Sequence, residues 1–305
     1  MAEGFKPSSK KHHYVPQFML RRFSHDGGKS IHAYDTRDKK HFTTNIENIA
    51  HQNHFHEFDW GEYAVSIEEW LASVEAMVAP SVESLLARDT LADFAPMDAA
   101  AICHLAGLQF VRTKAFRTRV QSAMNMMASS LEKRMAATGL EFSPSPSLMR
   151  LEGAELQEFA CRQILSAPQQ FAEHFATKAW VLLATTPDHP FLIGDNPLAL
   201  HNSQTFPLRG NLGLAVEGIE IYLPLSPVRS LCFLCHSHMR NPLLAQHSRD
   251  GSPIALLAGD VDGINAIQVL NADRLLFSSK ADFAIVDLVT GGQQAGQCGP
   301  QFGCR

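Results

Sequence analysis

From Val65 onward the apolar residues Ile67, Trp70, Leu71, Val74 and Val78 recur at three- and four-residue steps, the period that stacks side chains on one face of an α-helix. Pro80 then restarts the helix through Val82 and Leu85, because proline suits a first turn and not an interior. After Pro96, the residues Ile102, Leu105, Phe116, Val120, Ala123, Met127 and Leu131 fall on one side of a wheel drawn at about 100° per residue, which predicts a helix to about Ala137 that kinks or divides. The run Ser143-Pro144-Ser145-Pro146-Ser147 ends it, and an amphipathic segment follows over roughly residues 152–176.

The two ends of the chain follow a different pattern. Ser30-Ile31-His32-Ala33-Tyr34 alternates after the turn signal Asp26-Gly27-Gly28, so residues 1–60 read as a hairpin arm leading into loops. The last third carries short apolar runs, Trp180–Ala184, Phe191–Ile193, Ile219–Leu223 and Ser230–Leu234, between proline and glycine turns, which read as strands. A helix from about Val261 to Ser278 and a final strand, Phe283–Leu288, are expected to close the domain. The predicted class is α+β in a single domain, residues 1–290, with an arm (1–60), a helical part (61–176) and a β-rich part (177–290), followed by a loose glycine- and glutamine-rich tail, 291–305.

Composition narrows the function classes. A chain of 305 residues with 45% hydrophobic and 19% charged residues can bury a sizeable core. A formal net charge of -5 argues against a broad basic surface, which leaves room only for a local cationic patch. No run of about 18 apolar residues occurs, and no apolar stretch follows the charged residues of the N-terminus, so a cytoplasmic protein without a membrane partner is expected. Six cysteines spread over this length read as reduced thiols and not as a disulfide framework.

Several polar residues stand where an apolar face does not need them. Gln109 and Arg112 share the side of the helix that carries Ile102, Leu105 and Phe116, so each must meet an acceptor, either a structural carboxylate or a bound anion. Asp195-Asn196-Pro197 after Phe191-Leu192-Ile193-Gly194 puts a carboxylate at a strand end, a place for a metal ligand or a general base, or an Asx turn that closes the strand. On an extended segment His12 and His13 point to opposite faces, so one can enter a site while the other packs or meets solvent. Glu75 flanks the apolar stripe of its helix, where a solvated glutamate also sits. Cys232-Phe233-Leu234-Cys235-His236 matches a haem attachment pattern, but it lies in an apolar run that reads as a core strand, so no haem is expected and zinc is disfavoured. Dinucleotide, P-loop, hydrolase-elbow and zincin signatures do not occur.

The block Lys11-His12-His13-Tyr14-Val15-Pro16-Gln17-Phe18-Met19-Leu20-Arg21-Arg22-Phe23 resembles the opening signature of the family called domain of unknown function 4238. The Glu75 region, Gln109 to Arg112, Lys178-Ala179-Trp180, Gly194 to Pro197 (with Gly194 where serine is usual), Leu223-Pro224-Leu225-Ser226-Pro227 and the Asn271 helix are similar to further blocks of it. The resemblance implies no reaction. The paired histidines before Val-Pro also resemble the opening of His-Me finger nucleases, with Asn48, His51 and His54 downstream at a spacing longer than that compact unit has. The expected site therefore gathers His12 or His13, Asp195 and Arg112 as catalytic groups with Gln109, Glu75 and Asn196 as binding groups, and His13 with Asp195 as ligands of a divalent ion, magnesium or manganese before zinc. Such a set suits hydrolysis of a phosphoester in nucleic acid or a nucleotide; the alternative is a non-enzymatic module that recognises an anion or a protein partner.

Overall fold

A computed structural model of the protein describes residues 10–139, 145, 149–204 and 211–291. Most of the Ser143–Ser147 break, and the tail with Cys298 and Cys304, lie outside the described residues. The N-terminal third forms β1 (Lys11–His13), α1 (Gln17–Arg22), β2 (Ser30–Asp35), β3 (Lys40–Asn45), β4 (His51–Asn53), β5 (Glu57–Trp60) and β6 (Tyr63–Ser66). Helices follow: α2 (Glu68–Arg88), α3 (Pro96–Val111), α4 (Lys114–Thr138), α5 (Gly153–Ser166) and α6 (Pro168–Ala176). The C-terminal part comprises β7 (Ala179–Ala184), β8 (Ile193–Gly194), β9 (Ala199–His201), β10 (Glu220–Ser226), β11 (Arg229–Leu234), α7 (Pro242–Asp250), β12 (Ile254–Ala255), α8 (Ala258–Asn271), β13 (Leu275–Ser278) and α9 (Ala284–Thr290). The fold is α+β, as the alternation of periods predicts.

The middle layer is a five-stranded sheet in the order β12-β7-β11-β10-β9, antiparallel except for the β12–β7 pair. Its strands are apolar on both faces because helices cover both. Ile221, Leu223, Leu231 and Phe233 pack toward Ile102, Leu105 and Phe175, from α3 and α6, while Val181, Leu183, Tyr222 and Leu234 pack toward α7 and α8 through Leu244, Val261, Ile264 and Ile267. Gly107 lets α3 and α6 touch: a Cβ there would lie 2.3 Å from the Pro168 carbonyl oxygen.

A second sheet, β3-β2-β13-β8, joins the two ends of the chain. The β2–β3 hairpin pairs Ser30 with Asn45 through to Asp35 with Lys40, and β13 then lies antiparallel between β2 and β8. Two short antiparallel pairs, β1–β4 and β5–β6, complete the arm.

Four expectations are corrected. The helix of residues 68–88 runs through Pro80 instead of restarting there, because Val78, Val82 and Leu85 are buried and their packing outweighs one lost N–H. The amphipathic segment 152–176 divides at Ala167-Pro168 into α5 and α6. The helix expected to reach Ser278 stops at Asn271, since residues 275–278 pair with β2 and β8. Phe283–Leu288, expected as a strand, is helical, with Asp282 Oδ1 accepting from the Ala284 N–H at its start and Val286 buried.

Candidate functional site

The long helix divides at Arg112-Thr113, and this break organises the junction of arm, helices and sheet. Thr113 adopts an extended backbone, and its hydroxyl accepts from the Phe116 N–H at 3.3 Å, capping α4. One turn earlier, Gln109 donates its amide to the Tyr14 carbonyl at 3.0 Å, and next to Thr113 Arg112 donates to the His13 carbonyl at 2.6 Å and to Glu75 Oε1 at 2.8 Å. Both side chains are buried because they satisfy consecutive backbone carbonyls of the arm. Glu75, only partly exposed, is the carboxylate that neutralises the guanidinium.

Asp195 closes β8. Its Oδ1 accepts the Asp273 N–H at 2.7 Å, and its Oδ2 accepts those of Arg274 and Leu275, both at 2.9 Å. Burial pushes its carboxyl up to about 6, against these hydrogen bonds, which favour the anion. Asn196 accepts from the Thr113 hydroxyl at 3.2 Å and donates to the Asn271 carbonyl at 3.1 Å, so the Asp-Asn-Pro turn is tied to the α3–α4 break and to the end of α8.

Strand β1 places its histidines on opposite faces as expected: His12 is fully buried and His13 is half-buried. In the β1–β4 register His13 faces His51, with ring centroids 5.3 Å apart. The pair separates two clefts. One, of about 350 Å³, is lined by His13, Gln17, Arg21, Glu68, Glu75 and Arg112. The other, of about 360 Å³, lies at the junction and is lined by Tyr14, His51, Lys114, Asp195, Asp273 and Arg274, among others. His13 and Asp195 therefore line different clefts, and Arg112 stands with His13.

Charge in the junction cleft is mostly committed. Arg274 pairs with Asp35 at 2.5 Å and Asp38 at 3.1 Å, and Arg37 with Asp273 at 3.7 Å. Lys114 is left over: among the described residues it forms no ion pair, and its ammonium sits 4.8 Å from the centroid of the Tyr14 ring. Burial lowers the pKa of His51, and the charges of Lys11 and Lys114 lower it further; its Nδ1 is buried without a hydrogen-bond partner. Burial, then His51 and Arg112, hold His13 down at about 4.

Beneath the other cleft, three donors from distant parts of the chain meet. His12 Nδ1 accepts the backbone N–H of His56 at 2.9 Å and lies 4.0 Å from Glu68 Oε1, and His56 Nδ1 donates to the same oxygen at 2.5 Å. The rings of His12 and His56 stack at 6.0 Å with 12° between their planes. Burial drives the pKa of His56 well below the ordinary value, and the guanidinium groups of Arg112 and Arg117 add to this. A contact with the Arg112 backbone acts the other way, and Nε2 of His12 has no hydrogen-bond partner. Among the described residues, this is the grouping of three or more His, Cys, Asp or Glu whose geometry could hold a metal ion.

Sequence reasoning named His12, His13, Glu75, Gln109, Arg112, Asp195 and Asn196, raised His51 only through the nuclease comparison, and missed Tyr14, His56, Glu68 and Lys114 as site residues. Tyr14 adjoins His13 and Lys114 lies two residues from Arg112, so the neighbours of a marked position were the available signal. Nothing local connects residues 12, 56 and 68. The Cys232–His236 segment is as expected at its start, with Cys232 buried in β11 and Cys235 partly exposed, both as free thiols.

The family model described as "Protein of unknown function (DUF4238)" matches residues 11–282 of the chain. No curated protein and no solved structure matches it.

Proposed function

Because the chain belongs to the family of proteins of unknown function DUF4238, which supplies no reaction, we propose one from the junction cleft: it binds a small phosphate-bearing molecule and hydrolyses its phosphoester. The observation that carries this reading is an ammonium without an ion-pair partner, Lys114, in the same cleft as a neutral imidazole, His51. Lys114 supplies the charge that draws phosphoryl oxygens in, and His51 accepts a proton from the attacking water. Asp195 shapes the cleft wall through the turn at residues 273–275, and Gln109 and Arg112 hold the arm that carries Tyr14. The cleft volume suits a nucleotide or the end of a single strand, and the net charge of -5 disfavours tracking along a duplex. Magnesium or manganese, when bound with such a substrate, supplies further neutralisation of the phosphoryl charge. We place the reaction in the cytoplasm, where thiols such as those of Cys103, Cys161, Cys232 and Cys235 stay reduced.

A second reading, a binding module without turnover, draws support from Asp195, whose oxygens are both engaged by backbone N–H groups. The test is a panel of nucleoside monophosphates and a chromogenic phosphodiester, with and without magnesium or manganese, followed by calorimetry and by product release. Hydrolysis requires that His51→Gln abolish turnover while binding persists, and that Lys114→Met weaken binding. Binding without turnover selects the module; no binding of any panel member rejects both.

A further inference from the structure

We infer that His12, His56 and Glu68 form a binding site for a divalent first-row transition-metal ion, distinct from the junction cleft and independent of its proposed reaction. One donor atom from each residue lies within 4.8 Å of the others. Two imidazole nitrogens and one carboxylate oxygen are the ligand set of zinc and of its borderline neighbours, and magnesium, which prefers all-oxygen shells, is disfavoured.

The case rests on what a simple brace would not need. A carboxylate requires one buried partner, and His56 already provides it at 2.5 Å. A second imidazole, His12, is nonetheless buried 6.0 Å away and nearly parallel, with its Nδ1 4.0 Å from the same Glu68 oxygen. The placement is also held from three directions. His12 is fixed by the β1–β4 pairing, His56 ends the turn after β4 and donates its own N–H to His12, and Glu68 is the first residue of α2.

Ligation requires only small shifts of the donors. An ion about 2.1 Å from each donor requires separations near 3.4 Å, so His12 must close on Glu68 from 4.0 Å and His56 must recede from 2.5 Å, movements within the reach of side-chain rotation. Ligation through the Nδ1 atoms moves the His56 proton to Nε2 and replaces the bond from the His56 N–H to His12. The ion has a way in, because Glu68 also lines the cleft that carries His13, Glu75 and Arg112. That cleft leaves the remaining coordination positions to water or a small ligand.

The experiment uses the full chain, stripped with chelator and titrated with zinc and, separately, with cobalt(II). One equivalent of metal per chain, a rise in melting temperature that chelator reverses, and cobalt absorption bands of a mixed nitrogen and oxygen site are expected. Glu68→Gln and His56→Gln should each weaken binding about tenfold or more, whereas His54→Ala, whose ring stands 6.1 Å from His12 and bonds Glu57, should leave it unchanged. If His56→Gln does not fold, Glu68→Gln and the wild-type cobalt spectrum still decide. Failure of the wild-type chain to take up either metal, or uptake that survives both substitutions, overturns the assignment. Neither result bears on phosphoester binding by Lys114, which is read in the arms without metal and with magnesium alone.

Discussion

Arg112 donates to the backbone carbonyl of His13 at 2.6 Å while its other terminal nitrogen holds Glu75, so one guanidinium binds the N-terminal arm to two helices. Truncation leaves a carboxylate without its partner and a buried carbonyl without a donor. Arg112→Met should therefore cost about 3–5 kcal/mol and Gln109→Leu about 1–3 kcal/mol. Chemical denaturation measures both, and limited proteolysis should show the arm cleaved first in Arg112→Met. A loss below about 1 kcal/mol for Arg112→Met would mean that the arm is held by other contacts.

Asp195 predicts a pH dependence with a definite sign. Burial raises its carboxyl to about 6 in the folded chain, above the ordinary range of an unfolded one, so between those values the folded state binds more protons. Its contribution to stability is thus largest in acid, below the unfolded value, and declines as pH rises to about 6. Carboxyl carbon NMR should show a midpoint near 6 that is absent in Asp195→Asn. A midpoint in the ordinary carboxylate range would show that the three N–H bonds outweigh desolvation.

Thr113 caps α4 and bonds Asn196, two roles that depend on one hydroxyl. Thr113→Val keeps the shape and removes both, with an expected cost of about 1–3 kcal/mol. Thr113→Ser should recover most of it. Thermal unfolding of the three proteins compares them directly, and equal melting temperatures would remove the hydroxyl from the account.

Gly107 sits where α3 meets α6, and a methyl group there would run into the Pro168 carbonyl. Gly107→Ala should cost about 1–3 kcal/mol through displaced helices, although alanine is the better helix former. An unchanged or raised denaturation midpoint would show that the contact yields without strain.

The helical middle of the chain was legible because periodicity reports directly which face of an element is apolar. The same pattern marked Gln109 and Arg112 as out of place on a buried face, and both are buried. It did not say what they meet. Their acceptors are Tyr14 and His13, more than ninety residues away in sequence, and no local pattern encodes that pairing.

Residues 275–278 and 284–288 were assigned to the wrong elements for a related reason. Short apolar runs are compatible with helix and strand alike, and long-range partners decided between them. Asp195 captures the N–H groups of residues 273–275, which ends α8, and β2 then pairs with Leu275–Ser278.

By itself the sequence determined the α+β class, the amphipathic helices of the middle third, the opposed faces of His12 and His13, and the turn at Asp195-Asn196-Pro197. These are local properties of period, strand pleat and turn chemistry. Only the tertiary structure decided that His13 and Asp195 line different clefts, that His51 shares one with Lys114, and that His12 meets His56 and Glu68. Such meetings depend on how the chain path closes over tens of residues, which is set by the packing of the whole core and not by any single segment.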